Sequence, residues 1–247
     1  MRKSIKILLV ILAVILMAAG ALVVWQYDNI SALIKGLSSS SEDLAVKIDE
    51  HRNKVKTEIE KYVPKPIEDI SAEDEKKLIL GEISPEEVAE KYKLPLEYMK
   101  DDINNKIPDK KPAASVNESP KPSVNKPVDK NKLIEEEISN SLAQLYALKA
   151  KYVNKLGELE REVKEQYLNL PKSKQNKEGK KELVMANIDY VANLEKTCDS
   201  EVDKVVAELE KKLKELGGDL EIIQIIKDAY DEEKELKKSY YLSLYNE

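Results

Sequence analysis

The side chains that most often carry out chemistry are scarce in this chain. It contains one histidine, His51, and one cysteine, Cys198, whereas a zinc site needs several such ligands and a di-metal helical bundle needs Glu-x-x-His pairs. A Ser-His-Asp or Cys-His arrangement would also have to use His51, which a linker and a domain separate from Cys198. Gly179-Lys180 lacks the upstream glycine of a phosphate-binding loop. We therefore predict no catalytic residue, no cofactor and no metal site, in a protein that is not an enzyme.

Acidic residues are abundant, so their number alone leaves open a carboxylate pair for glycoside hydrolysis, and an envelope hydrolase is the enzymatic alternative. Such pairs line a cleft, which a slender helical bundle rarely offers. Charged residues make up 36% of the chain and give a net charge of −6 in mixed-sign runs, which we interpret as solvated helix faces. Because no concentrated basic face is visible, we expect no nucleic-acid partner.

Residues 7–25 (ILLVILAVILMAAGALVVW) contain no charge, amide or proline. As a helix this run would be about 28 Å long, close to the hydrocarbon thickness of a bilayer. Basic side chains in residues 1–6 precede it, so the positive-inside rule places the N-terminus in the cytoplasm and the C-terminus outside the cell. Trp25 and Tyr27 lie where aromatic residues contact the membrane interface. The run predicts a single-pass signal anchor in the cell membrane that contacts the lipid bilayer.

The alternative interpretation of the same run is a cleaved secretory signal, with the small residues Ala19-Gly20-Ala21 at the cleavage site. Cleavage near Ala21 would release a secreted helical binding protein that recognises a wall or surface ligand. The apolar run continues through Trp25 before polarity begins, which favours the uncleaved anchor. Both interpretations predict that the rest of the chain is exported.

The rest of the chain has the composition of long helices, with only seven glycines and 5% aromatic residues, and we predict an all-α fold. In residues 42–62, one stripe of apolar side chains recurs at helical spacing: Leu44, Ile48, Val55, Ile59 and Tyr62. His51 or Arg52 fills the missing step of that stripe. This membrane-proximal amphipathic helix either forms a homodimer through a coiled coil or folds back on its own chain.

Residues 67–106 are predicted to form a small unit of three short helices. Ser71 and Gly81 are expected to begin and end the first helix. The run Ser84-Pro85-Glu86-Glu87 has the pattern of a capping box and begins the second. A third helix is predicted after Pro95, where the apolar spacing resumes.

The centre of this unit, GEISPEEVAEKYKLPLEYMKDDI, resembles a small helix-turn-helix module. The resemblance implies a DNA-binding third helix, yet this one carries Glu97, Asp101 and Asp102 where phosphate contact requires lysine and arginine. Its expected position outside the cytoplasm also argues against DNA. We therefore predict a protein-docking unit, and a membrane-tethered regulator that uses residues 67–106 on DNA is the less favoured alternative.

Residues 107–131 contain five prolines among lysine, serine and asparagine and are predicted to be a disordered Pro-rich linker. Residues 132–247 are predicted to form an antiparallel three-helix, coiled-coil-like bundle, because three long heptad patterns are separated by short turns. Only Lys149 interrupts the apolar heptad of the first of these helices. Cys198 lies in the apolar seam of the second, where we expect it to be buried.

Three tyrosines, Tyr240, Tyr241 and Tyr245, cluster near the C-terminus. Tyrosine is frequent at binding hot spots, so they are a candidate interaction surface. The favoured interpretation is that Tyr240 packs the end of the bundle while Tyr241 and Tyr245 cover its rim. Taken together, the anchor, the heptads and the absent catalytic groups predict a membrane-anchored, non-catalytic scaffold or protein-interaction protein of the bacterial cell envelope. Its expected partner is another protein.

Overall fold

The computed structural model describes residues 40–100 and 129–246, which contain six α-helices and no β-strand. The predicted all-α class is confirmed. The helices are α1 (Ser41–Glu60), α2 (Ala72–Leu80), α3 (Pro85–Tyr92), α4 (Lys130–Asn169), α5 (Lys177–Leu216) and α6 (Glu221–Asn246). The predicted anchor at residues 7–25, with Trp25 and Tyr27, and most of the predicted linker lie outside the described residues. Within the described ranges, no helix has the length and apolarity needed to cross a bilayer.

The short helices begin and end where the sequence predicts. The Ser71 hydroxyl accepts a hydrogen bond from the backbone N–H of Asp74 at the start of α2, and Gly81 ends that helix with a left-handed φ of 71°. Ser84 and Glu87 form the predicted capping box at the start of α3. These local signals work because they satisfy backbone groups that a helix leaves unpaired at its ends.

The predicted third short helix is only one 3₁₀ turn, Leu96–Tyr98, in the described part of the chain. Lys93 adopts a left-handed conformation with φ of 55° and reverses the chain direction after α3. One of the apolar side chains on which that prediction rested does lie in the core, because Met99 is buried against α2, α3 and α4. Residues 101–106, the rest of the predicted helix, lie outside the described residues.

The long helices differ from the predicted three-helix bundle because α1 joins them. Helices α4 and α5 form an antiparallel pair, with Lys212 contacting Glu137 near one end. Helix α6 returns parallel to α4, and its outer face packs along α1. Leu44 and Ile48 of α1 are buried against Leu236 of α6. The apolar stripe of residues 42–62 is therefore covered within the chain, as in the fold-back alternative.

Helices α2 and α3 pack against α4. Their core includes Leu78 and Val88, which lie against Ala147 and Ala150 of α4. Small side chains on α4 let the backbone of α2 approach closely. The closest approach is at Gly157, where a Cβ atom would lie 2.4 Å from the carbonyl oxygen of Ile79.

We expect Gly157→Ala to destabilise the fold by about 1–3 kcal/mol, because the methyl group would displace the backbone of α2. Without that contact, the same change inside a helix would stabilise it by up to about 1 kcal/mol. Urea unfolding of the full chain measures the difference, and Glu158→Ala at the neighbouring exposed position is the control. A more stable Gly157→Ala protein would show that α2 does not pack on α4 at this point.

Candidate functional site

A partly open cavity of about 940 Å³ lies between α1, α4, α5 and α6. Most of its wall is apolar, with contributions from all four helices: Val55, Ile59, Leu142, Leu145, Leu156, Val191, Leu194, Val202 and Ile226. One side of the wall is charged. The volume is within the range of small-molecule sites in proteins, which are mostly apolar with a few polar groups.

The charged side of the cavity belongs to a cluster of six ionised side chains, which we call the charge network: Arg52, Asp69, Glu75, Lys149, Glu233 and Lys237. Lys149 lies at its centre, with Nζ 2.7 Å from Oδ2 of Asp69 and 2.9 Å from Oε1 of both Glu75 and Glu233. Three cations face three carboxylates, so the charge network is neutral. It joins α1, α2, α4, α6 and the segment before α2.

Two further cations complete the charge network. Nη2 of Arg52 lies 2.7 Å from Glu75 and 3.0 Å from Glu233. Nζ of Lys237 lies 3.0 Å from Glu75 and 3.1 Å from Glu233. The six side chains are only 10% to 24% exposed, so solvent screens these pairs much less than pairs on the surface.

Burial and charge act against each other in the charge network. Burial by itself would raise the pKa of Glu75, but the neighbouring Lys149, Lys237 and Arg52 outweigh it and lower the pKa to about 2. Burial would lower the pKa of Lys149, but the three carboxylates raise it above its usual value. Both groups therefore remain charged at neutral pH, and neither is poised to exchange a proton there.

We expect this arrangement to make the fold sensitive to acid. The folded pKa of Glu75, about 2, lies below its ordinary value of 4.5, so its contribution is complete above pH 4.5 and is lost as pH falls toward 2. About 2 kcal/mol should be lost between pH 6 and pH 3. Urea unfolding at both pH values measures this loss. Glu75→Gln should be less stable at pH 6 but should have a flatter pH dependence, and an unchanged slope would contradict the assignment.

Sequence reasoning missed the charge network. The interpretation of the charged runs as solvated helix faces is wrong for these six side chains. The sequence contained two signals: Lys149 interrupts an apolar heptad, and Arg52 lies beside a gap in an apolar stripe. Each signal placed a cation on a buried face. Neither identified its partners, because those come from α2, α6 and the segment before α2.

The structure brings His51 and Cys198 to the wall of the same cavity, although their positions in the sequence predict separation. His51 is buried, and its Nε2 lies 3.1 Å from the carbonyl oxygen of Ala229. A carbonyl only accepts hydrogen bonds, so Nε2 carries the proton. Nδ1 lies 3.3 Å from a carboxylate oxygen of Glu232 without hydrogen-bonding geometry. His51 therefore holds α1 against α6.

The thiol of Cys198 is not activated. Burial raises its pKa to about 11, whereas a nucleophilic cysteine needs a lowered pKa. Its Sγ lies 3.5 Å from the hydroxyl of Tyr230, which donates a 2.5 Å hydrogen bond to Asp199. Among the described residues, no group of three or more histidine, cysteine, aspartate or glutamate side chains is placed to hold a metal ion.

Glu160 on α4 is the one buried carboxylate without a hydrogen-bond partner among the described residues. Its side chain is 2% exposed. Burial raises its pKa to about 7, and the nearby Lys164 and Arg161 only partly offset this effect. The Glu160 carboxyl therefore holds its proton to a much higher pH than an ordinary glutamate does.

The predicted tyrosine surface is only partly described. Tyr240 is half-buried and packs against the cluster of Leu44, Ile48 and Leu236 at the α1–α6 contact. The side chains of Tyr241 and Tyr245 lie outside what the structure describes. Their role as an interaction surface stays a prediction.

Comparison of the chain with protein-family models, with curated proteins and with solved structures finds no match in any of the three. The site is therefore interpreted from its own chemistry. That chemistry is an apolar cavity, a self-neutralised charge network and a thiol with a raised pKa.

Proposed function

We propose that this chain is a membrane-anchored, extracytoplasmic helical protein of the bacterial cell envelope that acts as a non-catalytic scaffold or protein-interaction module. One observation carries the proposal: residues 7–25 form an uninterrupted apolar run preceded by the basic residues 1–6,. The run would anchor the chain with its N-terminus in the cytoplasm. Residues 42–62, 67–106 and 132–247 would then form the exported part, with residues 107–131 as a linker.

The chemistry of the described residues supports a non-catalytic role. The charged groups that line the cavity are mainly paired with one another, and the pKa of the Cys198 thiol is raised. His51 uses its proton to bind the backbone of α6. Hydrolysis requires a base or nucleophile that is free to react, so an envelope hydrolase is not favoured.

Impermeant thiol labelling tests the topology. Cys198→Ala removes the one native thiol, and Ser115→Cys or Ser4→Cys then adds a single reporter on one side of the membrane. We expect labelling of Cys at position 115 in intact cells, labelling at position 4 only after lysis, and recovery of the chain with the membranes. The reverse pattern, or recovery in the cytosol, would contradict the proposal. Crosslinking and pull-down of the intact protein would then identify the partner.

The cavity favours a second candidate, a secreted helical binding protein released by cleavage near Ala21. A volume of about 940 Å³ with apolar walls fits a small ligand,. N-terminal sequencing of the mature protein separates the two candidates, because only the secreted form would begin after the apolar run. A homodimer through residues 42–62 is less favoured, since Leu44 and Ile48 already pack against α6.

A further inference from the structure

The turn between α4 and α5 is positively charged, whereas the chain as a whole is negatively charged. Residues 171–181 contain five lysines and one glutamate, whereas the chain carries −6 overall. We call the end of the α4–α5 hairpin, residues 164–185, the hairpin tip. Among its described side chains, the large exposed apolar ones are Leu168 and Met185, which are 61% and 51% exposed. A basic surface with exposed apolar side chains is typical of regions that bind anionic membranes.

The turn within the hairpin tip is held by its own hydrogen bonds. Nε2 of Gln175 donates to the carbonyl oxygens of Leu168 and Leu170 at 3.0 and 2.8 Å. Nδ2 of Asn176 donates to the carbonyl oxygen of Ser173, and its Oδ1 accepts from two backbone N–H groups of α5. The lysines are therefore presented on an ordered turn, and little conformational entropy is lost when they contact a surface.

Most of these lysines are available for a partner. Lys174 is 59% exposed, and its one ion pair, with Glu182, is long at 3.6 Å between two exposed side chains. Lys172 is also exposed. Lys180 lies over the ring of Tyr167 at 5.5 Å and carries no ion pair with the described residues. Weak surface pairs of this kind compete poorly with a dense array of phosphates.

The hairpin tip and the start of α1 lie at the same end of the bundle. Arg52 of α1 and Lys149 of α4 both contact Glu75 and Glu233, so the charge network fixes the two helices side by side. Helix α1 runs antiparallel to α6, because its start packs on Leu236 and its end lies near Glu221. Since α6 is parallel to α4, the start of α1 points toward the C-terminal end of α4. At a rise of 1.5 Å per residue, α4 extends about 30 Å from Lys149 to Asn169. By the same measure, the first residue of α1, Ser41, lies about 17 Å along the helix from Arg52. The hairpin tip therefore extends about 13 Å beyond the first residue of α1.

We propose that the hairpin tip, through Lys172, Lys174 and Lys180 beside exposed Leu168, docks on the anionic lipid surface of the bilayer that holds residues 7–25. This inference rests on the proposed membrane anchoring. The 15 residues between Trp25 and α1 span at most about 54 Å when extended, so they allow the hairpin tip to reach the lipid headgroups. The second contact would orient the whole bundle on the membrane.

Electrostatic attraction by the lysines contributes most of the expected binding, and apolar contact by Leu168 adds to it. Each lysine near an anionic lipid surface strengthens binding roughly fivefold, so three lysines contribute on the order of 100-fold. The attraction weakens in high salt, because the screening length falls from about 10 Å at 0.1 M to about 3 Å at 1 M. Leu168 would then insert at the level of the headgroups.

The test uses the full chain in lipid nanodiscs with a dye at the hairpin tip. Cys198→Ala and Ser173→Cys leave one thiol, which carries an environment-sensitive NBD fluorophore. The nanodiscs contain either phosphatidylcholine alone or a mixture with phosphatidylglycerol, and a nitroxide on some headgroups quenches a nearby dye. We expect a blue shift and quenching in the anionic discs, little of either in neutral discs, and reversal in 1 M salt.

Charge variants decide whether the lysines carry the contact. Lys172→Gln, Lys174→Gln and Lys180→Gln together should weaken docking on the order of 100-fold. The matched control, Lys204→Gln with Lys211→Gln and Lys214→Gln on exposed positions of α5 far from the hairpin tip, removes the same charge and should leave docking unchanged. Equal losses in both variants, or equal quenching in neutral discs, would overturn the proposal.

The outcomes also separate this inference from the proposed function. A chain that enters the nanodiscs while its dye remains in water keeps the anchor and overturns hairpin-tip docking alone. A chain that does not enter the discs overturns both. Circular dichroism of each variant should show unchanged helix content, since the substituted lysines are exposed, apart from Lys180, which is half-buried.

Discussion

Lys149→Met is expected to destabilise the fold by about 3–5 kcal/mol. The substitution removes the central cation of the charge network and leaves Asp69, Glu75 and Glu233 with only two cations in a largely buried site. An uncompensated buried charge costs several kcal/mol, whereas the intact pairs contribute little net stability. Urea unfolding of the full chain, followed by circular dichroism, measures the loss.

Two further variants test this explanation. Lys132→Met, on the same helix, removes an exposed lysine 3.8 Å from Glu136 and should change stability by less than about 0.5 kcal/mol. Lys149→Met combined with Glu233→Met restores neutrality and should recover at least half of the loss. A double variant as unstable as Lys149→Met would indicate that lost packing, and not unbalanced charge, explains the effect.

Glu160→Gln is expected to stabilise the protein by about 3 kcal/mol at pH 8. The folded pKa of Glu160 is raised to about 7 from an ordinary value of 4.5. The protonated form stabilises the fold fully below pH 4.5, and this contribution is lost as pH rises through 7. Above pH 7 the buried, ionised carboxylate therefore lowers the free energy of unfolding. Glutamine has nearly the same shape and carries no charge to desolvate.

The pH dependence of this gain distinguishes it from a general stabilising effect. At pH 4 the Glu160 carboxyl is protonated in both folded and unfolded chains, so Glu160→Gln should then differ little from the parent protein. Unfolding free energies at pH 4, 6 and 8 give the profile. Glu162→Gln is the matched control, because that side chain is less buried and already accepts a hydrogen bond from Gln166. A constant gain at all three pH values would contradict the assignment.

The charge network also has a consequence for the proposed function. It holds α1, which would follow the membrane anchor, at a fixed level along α4 and α6. A bundle attached to the membrane through α1 alone would otherwise vary in its orientation. In the proposed membrane-anchored protein, fixing α1 would set which end of the bundle lies closest to the membrane, and that end carries the hairpin tip.

Local structure was predictable from the sequence alone. The caps at Ser71, Gly81 and Ser84 form as predicted, because a capping residue acts on backbone groups within four positions of itself. The three long helices after residue 129 were predictable from their heptads, since a buried stripe requires a fixed spacing. The third short helix differed within the described residues, where it is only the 3₁₀ turn Leu96–Tyr98, a distinction that apolar spacing does not make.

The surroundings of individual side chains required the tertiary structure. Lys149 looked like a break in a heptad, and its position at the centre of the charge network depends on α2 and α6, which lie far from it in the sequence. Glu160 had no distinguishing pattern at all. Its raised pKa arises from burial without a partner, which spacing cannot reveal.

The sequence by itself determined that this protein is helical, where most of its helices begin and end, and which faces are apolar. It also carries the whole argument for a membrane anchor at residues 7–25. Only the tertiary structure decided that α1 joins the bundle, that a cavity forms beside a neutral charge network, and that a basic hairpin tip lies at the same end as the start of α1. The physical reason is that helix formation depends on neighbours a few residues apart, whereas the pairing of charged and apolar faces depends on residues far apart in the sequence. In the charge network, for example, Arg52 binds Glu75 and Glu233, which lie 23 and 181 positions away.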